Sequence, residues 1–151
     1  MSIPEVSMQD SSVLNLDNQL CFMVYSTNLA LNQIYRKILS PLGLTYPQYL
    51  VMLVLWEKDG LTVSEIGEKL FLESSTLTPL LKKLQSLELL DRIRSTKDER
   101  QVIITLTAKG QNLKDQAIDI PTQILKASAC DIETLVELKQ QLSNLRSNIL
   151  K

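Results

Sequence analysis

Residues 61–107, LTVSEIGEKLFLESSTLTPLLKKLQSLELLDRIRSTKDERQVIITLT, restrict the fold more than any other part of the chain, because their apolar pattern changes period along the way. Two short stretches with helical spacing are separated by a break at FLESS, where Ser74 or Ser75 is suited to cap the second. After Glu88 come an apolar-rich run, a charged tip and the β-branched run VIITLT, the pattern of a hairpin. A helix-turn-helix joined directly to a hairpin is the winged-helix arrangement, in which one helix enters the major groove of DNA and the hairpin lies along the backbone. The expected fold class is therefore mainly α with a small β-hairpin wing (α+β). The expected partner is double-stranded operator DNA, pseudo-palindromic for a two-fold symmetric protein.

The flanks read as helices. From Leu20 through Met23, Thr27, Ala30, Ile34 and Ile38 the spacing is three or four, a long first helix that Asp17 is placed to cap and that ends before SPLG. Thr45 is placed to cap a second helix over YPQYLVMLVLWEK, with Pro47 in its first turn and Gly60 closing the segment. Beyond the hairpin, Thr107 caps a helical final third in which Pro121 is expected to introduce a kink. Leu135, Leu138, Leu142, Leu145 and Ile149 then form a narrow seam of the kind helices use to pair. A long first helix and a seamed last helix around a small winged region point to a homodimer built from the two ends. The expected organisation is a flexible N-terminal arm (1–15) and a single domain (16–151). Within it, 16–44 and 108–151 are dimerisation helices and 45–107 is the DNA-binding region.

Composition removes most other functions. The 151 residues contain no histidine, which eliminates Cys-His and Ser-His nucleophile pairs, histidine-ligated metals and histidine general bases together. Four scattered glycines make no phosphate-cradling loop, and two cysteines 109 positions apart make no zinc cluster. No enzyme activity, metal or cofactor is expected. No apolar run approaches the roughly 18 residues of a membrane span, and the N-terminus lacks the pattern of a secretory signal, so a cytoplasmic protein with no membrane partner is expected. Charge is concentrated where DNA would touch. From Lys82 to Lys109 seven basic residues face four acidic ones, a net of +3 against −1 for the whole chain. Ser74, Ser75, Thr76 and Thr78 are expected to read base edges, while Lys82, Lys83, Arg94, Lys97 and Arg100 contact phosphates and Asp98 orients a wing arginine.

Three stretches, LDNQLCFMVYS, LTYPQYLVMLVLWEKDGLTVSEIGEKLFLESSTLTPLLKKLQ and RSTKDERQVIITLT, resemble the MarR family of dimeric winged-helix repressors, and within it the organic hydroperoxide resistance repressors, from about residue 16 to 107. Ser75 stands where that subgroup usually has glycine. The resemblance implies a repressor that leaves its operator when a cysteine near the start of the first helix is oxidised by an organic hydroperoxide. Cys21 matches that position. It further implies that Tyr35 and Tyr46 hydrogen-bond the reactive sulfur, with Tyr25 as a third nearby hydroxyl, and that Cys130 is the second cysteine of the branch that forms a disulfide.

Elementary chemistry bears on these roles. If Asp17 caps the helix, Cys21 lies in its first turn, where unpaired N–H groups and the positive dipole end suit an anionic sulfur. Tyr35 lies fourteen residues on, about 21 Å along one straight helix, so contact with Cys21 requires the other subunit. The same interlocking makes a disulfide between Cys21 and Cys130 intersubunit. Two other functions fit parts of the pattern. One is a winged-helix repressor released by a small aromatic ligand, with the cysteines incidental. The other is a thiol peroxidase, disfavoured by the missing alternation of strands and helices.

Overall fold

The structure, a computed structural model, describes residues 11–151, so most of the expected N-terminal arm lies outside the described residues. Ser11–Leu14 and Leu16–Asn18 form two short 3-10 turns, followed by α1 (Leu20–Leu39), α2 (Tyr46–Glu57), β1 (Leu61–Thr62), α3 (Val63–Leu70) and α4 (Ser74–Ser86). The strands β2 (Leu90–Arg94) and β3 (Val102–Leu106) make the wing, and α5 (Ala108–Ala117), α6 (Ile120–Ser128) and α7 (Ile132–Ile149) complete the chain.

Local chemistry explains the boundaries. Thr45 caps α2 through a reciprocal box: its hydroxyl accepts from the Gln48 N–H, while the Gln48 side chain accepts from the Thr45 N–H. Thr62 and Glu65 repeat the device at α3. The helix-turn-helix break is tight because Phe71 adopts a left-handed conformation (φ 58°) and Leu72 N–H bonds back to the Gly67 carbonyl. A Cβ on Gly67 would stand 2.7 Å from the Leu72 carbonyl oxygen, so only glycine lets the chain fold back this closely.

Two expected caps are corrected. Asp17 does not cap α1: it sits inside the Leu16–Asn18 turn, which Gln19 N–H closes on the Leu16 carbonyl, and α1 begins after Gln19. Neither Ser74 nor Ser75 caps α4. Phe71 and Leu72 close α3 so sharply that Glu73 is the boundary residue, its carbonyl accepting from both Thr76 and Leu77, and Ser74 is already helical. Pro121 also acts differently from expectation. It occupies the first turn of α6, which is a separate helix starting at Ile120, where its missing N–H costs nothing.

The sheet is antiparallel in the order β1-β3-β2, with Leu61 opposite Ile104 and Leu90 opposite Leu106. The two-residue β1 is too short to show a period in the sequence. Leu39, Met52, Leu55, Leu61, Ile66, Leu77, Leu81, Leu84, Leu90, Ile104 and Ile120 are all buried at 2% exposure or less. At about 1.5–3 kcal/mol for each such side chain, this cluster is what fixes α4 relative to the wing. Leu39 comes from α1 and Ile120 from α6, so the core draws on both sides of the 45–107 segment.

Candidate functional site

Two groups of residues hold the chemistry. The first surrounds the N-terminal end of α1. Cys21 is its second residue, exposed and a free thiol. No acidic residue lies in that turn, and the first backbone bond of the helix is from Met23 N–H to the Gln19 carbonyl. Gln19 does not cap the helix; its amide donates backward to the carbonyls of Val13 and Asn15. The N–H groups of the first turn therefore have no cap from the Gln19 side chain. Tyr25, one turn on, is 61% exposed.

Tyr35 and Tyr46 meet. Their ring centroids are 4.4 Å apart, one carried by α1 and the other by the first residue of α2. Tyr49 joins them at 6.0 and 6.3 Å. Burial, with smaller contributions from Tyr46 and Tyr49, pushes the Tyr35 phenol up to about 12. Tyr46 and Tyr49 are raised as well, chiefly by burial. The phenol of Tyr35 consequently keeps its proton near neutrality and has an O–H available to donate. Since α1 is continuous from Leu20 to Leu39, the separation of about 21 Å between Cys21 and Tyr35 stands, and a single chain does not unite them.

Cys130, also exposed and free, lies between α6 and α7 beside Ala129, which holds a left-handed conformation (φ 54°). Its N–H donates to Ser128 Oγ. The next residue, Asp131, caps α7 by accepting from the Thr134 N–H at 2.8 Å, and hydrogen bonding from the Thr134 side chain, then from this N–H, holds its carboxyl below the usual range. A carboxylate thus neighbours Cys130, whereas the first turn of α1 has none.

The second group is the face of α4 and the wing. Ser74, Ser75 and Thr76 are exposed on the first turn of α4, Thr78 is half-buried, and Lys82 and Lys83 are exposed further along. In the wing, Asp98 Oδ1 accepts from both the backbone N–H and the Nε of Arg100, whose side chain remains 92% exposed. Arg94 reaches across the tip to the Glu99 carbonyl at 2.6 Å, so its guanidinium is partly engaged within the wing, while Lys97 is exposed. Sequence reasoning overlooked Ser95. Buried at the tip, its hydroxyl accepts from the N–H groups of Lys97 and Asp98 and sets the loop that presents the charges. A serine opening STKD is the sequence signal for such a turn. Also overlooked was Arg146 of α7, whose guanidinium lies 4.2 Å from the centroid of the Phe71 ring in the helix-turn-helix break.

Comparison with known proteins bears on both groups. Residues 33–117 match the SarA/Rot transcriptional regulator family. The chain is 46% identical over 132 residues to the organic hydroperoxide resistance transcriptional regulator of Bacillus subtilis, covering 87% of this chain and 90% of that one. It superposes on reduced AbfR bound to DNA with a TM-score of 0.76 at 37% identity, covering 90% of this chain and 95% of the other. AbfR is a Staphylococcus epidermidis protein. Against the disulfide form of AbfR the TM-score is 0.62 at 42% identity, covering 86% and 91%. The superposition is thus poorer on the disulfide form of AbfR than on its reduced, DNA-bound form.

Proposed function

Because the chain belongs to the MarR/SarA family of winged-helix transcription regulators, among the organic hydroperoxide resistance regulators, and is a DNA-binding regulator rather than an enzyme, we propose that Cys21 is its peroxide sensor. The observation that carries this reading is the division of the sulfur site. Cys21 stands exposed at one end of α1, and the paired phenols of Tyr35 and Tyr46 stand about 21 Å away on the same chain. Each half lacks the other, and a homodimer with interlocked first and last helices supplies it. In that dimer the phenols of one subunit donate hydrogen bonds to the sulfur of its partner.

The chemistry balances in two steps. The Cys21 thiolate attacks the terminal oxygen of a hydroperoxide ROOH and the O–O bond breaks; sulfur is oxidised by two electrons to the sulfenic acid, and the peroxide leaves as the alcohol ROH. Cys130 of the other subunit then attacks that sulfur, an S–S bond forms and water leaves. Cysteine Cα atoms joined this way lie within about 7 Å of each other, so the ends of α1 and α7 are drawn together. That movement alters the spacing of two α4 helices that must sit about 34 Å apart on the operator. In the DNA-bound state Ser74, Ser75, Thr76 and Thr78 face base edges, and Lys82, Lys83, Arg94, Lys97 and Arg100 face phosphates.

On a denaturing, non-reducing gel, peroxide-treated protein should run as a covalent dimer that a thiol reductant collapses, and neither Cys21→Ser nor Cys130→Ser should do so. A monomeric band with both thiols consumed would contradict the interlocked geometry. A second reading, release by a small aromatic ligand, has one observation in its favour: a cleft of about 340 Å³ between α2 and the α5–α6 junction, lined by Tyr49, Leu53, Trp56 and Ile118. Ligand-induced release that survives Cys21→Ser would support it.

A further inference from the structure

The tyrosine pair is one end of a longer stripe. Tyr46, Tyr49 and Trp56 are three and then seven residues apart on α2, which puts them on one side of the helix. The stripe is continuous in space. Tyr35 and Tyr46 are 4.4 Å apart, Tyr46 and Tyr49 6.3 Å, and Tyr49 meets Trp56 edge-on at 6.5 Å. Tyr49 is only 4% exposed and touches both phenols as well as Trp56, so a shift of Tyr35 or Tyr46 presses directly on its ring.

Trp56 then leaves α2. Its indole Nε1 donates to the Gly110 carbonyl at 2.9 Å, in the first turn of α5. Gly110 is pressed against the joint between α4 and the wing: a Cβ there would overlap the Leu89 carbonyl oxygen. The same joint is bound three more times from the start of α5. Thr107 N–H donates to the Leu89 carbonyl, Thr107 Oγ1 to the Glu88 carbonyl, and Lys109 Nζ to the Leu87 carbonyl. Leu90, the next residue, begins β2 and is fully buried. The path therefore ends where α4 and the wing meet, at the two elements proposed to hold DNA.

We infer that Tyr49 and Trp56 are positioning residues that carry the state of the sulfur site from Tyr35 and Tyr46 to the α4–wing joint through the Trp56–Gly110 bond. The inference rests on the peroxide-sensor reading above. It assigns Trp56 a purpose that core packing alone does not require, since a phenylalanine would fill most of the same space but has no N–H to donate. It also makes the protein its own reporter, because Trp56 is the only tryptophan in the chain.

The test uses DNA-free dimer treated with one equivalent of cumene hydroperoxide per subunit, with consumption of the Cys21 thiol measured by alkylation and Trp56 emission recorded in parallel. Operator release is measured separately. In wild type the emission should change in step with thiol consumption, and in Cys21→Ser it should not. Tyr49→Leu should consume its Cys21 thiol at the wild-type rate without the emission change. Trp56→Phe should bind operator with wild-type affinity when reduced, yet the peroxide-induced fall in affinity should shrink by roughly threefold to thirtyfold. Release of wild-type amplitude from Trp56→Phe after equal thiol consumption overturns the inference and leaves the sensor reading intact, as does unchanged wild-type emission after complete Cys21 oxidation. Should a variant fail to fold, the wild-type emission decides alone. If Cys21→Ser leaves the operator under peroxide as wild type does, the sensor reading fails and this inference falls with it.

Discussion

The DNA-binding face and the two ends of the chain satisfy their apolar residues in different ways. On α4, Leu77, Leu81 and Leu84 are all 0% exposed, packed under the wing with Leu90 and Ile104. On α7, the equivalent spacing leaves Leu138, Leu142 and Ile149 exposed at 48%, 41% and 70%, and Leu20 and Met23 on α1 are as open. Against the described residues, α7 buries none of its side chains. One region is complete within a single chain; the other presents surface that water disfavours, which the second copy of the proposed dimer would cover. Both cysteines belong to the incomplete region. In the proposed sensor, oxidation and subunit arrangement are one variable, and the self-contained face is what that variable repositions.

The contrast can be broken most severely from the inside. Leu81→Ala should cost about 2–5 kcal/mol, since the cavity it leaves is closed on all sides, and the thermal midpoint should fall equally at every protein concentration. A drop that varies with concentration would mean that the winged region is not complete by itself. Leu142→Ala should do the reverse, weakening self-association by about tenfold in analytical ultracentrifugation while the fold of each subunit persists. Equal dimerisation would remove α7 from the interface. Arg100→Ala should weaken binding to all duplexes several-fold and lower the logarithmic salt slope by about 1 for each phosphate no longer neutralised, as fluorescence anisotropy across a salt series would show. An unchanged slope would mean that the Asp98-held guanidinium faces no phosphate.

A smaller effect separates the aromatic stripe from both regions. Tyr35 ionises only near pH 12 in the folded chain, and Tyr46 and Tyr49 are raised too, so the unfolded chain ionises first. Their contribution to stability is full below about pH 10 and disappears as pH rises through the folded values. Chemical denaturation should show stability falling above about pH 10, with a shallower fall in Tyr35→Phe. Identical pH profiles would mean that Tyr35 is not buried among the phenols.

Much of this arrangement is written in local residue patterns. Thr45 and Thr107 announce their helices because a hydroxyl three residues before an N–H is a complete cap in itself. The hairpin is readable because VIITLT has a β-branched run and the tip is polar. Asp17, Ser74 and Ser75 mislead for a common reason: each has capping chemistry, but the boundary is set by backbone bonds closing the preceding turn, from Gln19 to Leu16 and from Leu72 to Gly67. The strand β1 is hidden because two residues carry no period, and it exists only through its pairing with Ile103 and Ile104. Asp59 is equally silent. Its carboxylate accepts from the N–H of Leu106, 47 positions away, a contact that no local spacing encodes. The Tyr35–Tyr46 pairing belongs to the same class, joining two helices across a turn, and only the resemblance to the peroxide regulators singles out those two residues.

The central claim is that one sulfur governs DNA release. It is tested by following a labelled operator duplex by anisotropy as an organic hydroperoxide is added to wild type and to Cys21→Ser, both shown to be dimeric and to bind with equal affinity when reduced. Wild type should leave the duplex as its Cys21 thiol is consumed and rebind after a thiol reductant is added, while Cys21→Ser stays bound throughout. Release of Cys21→Ser at the peroxide concentration that frees wild type would contradict the claim.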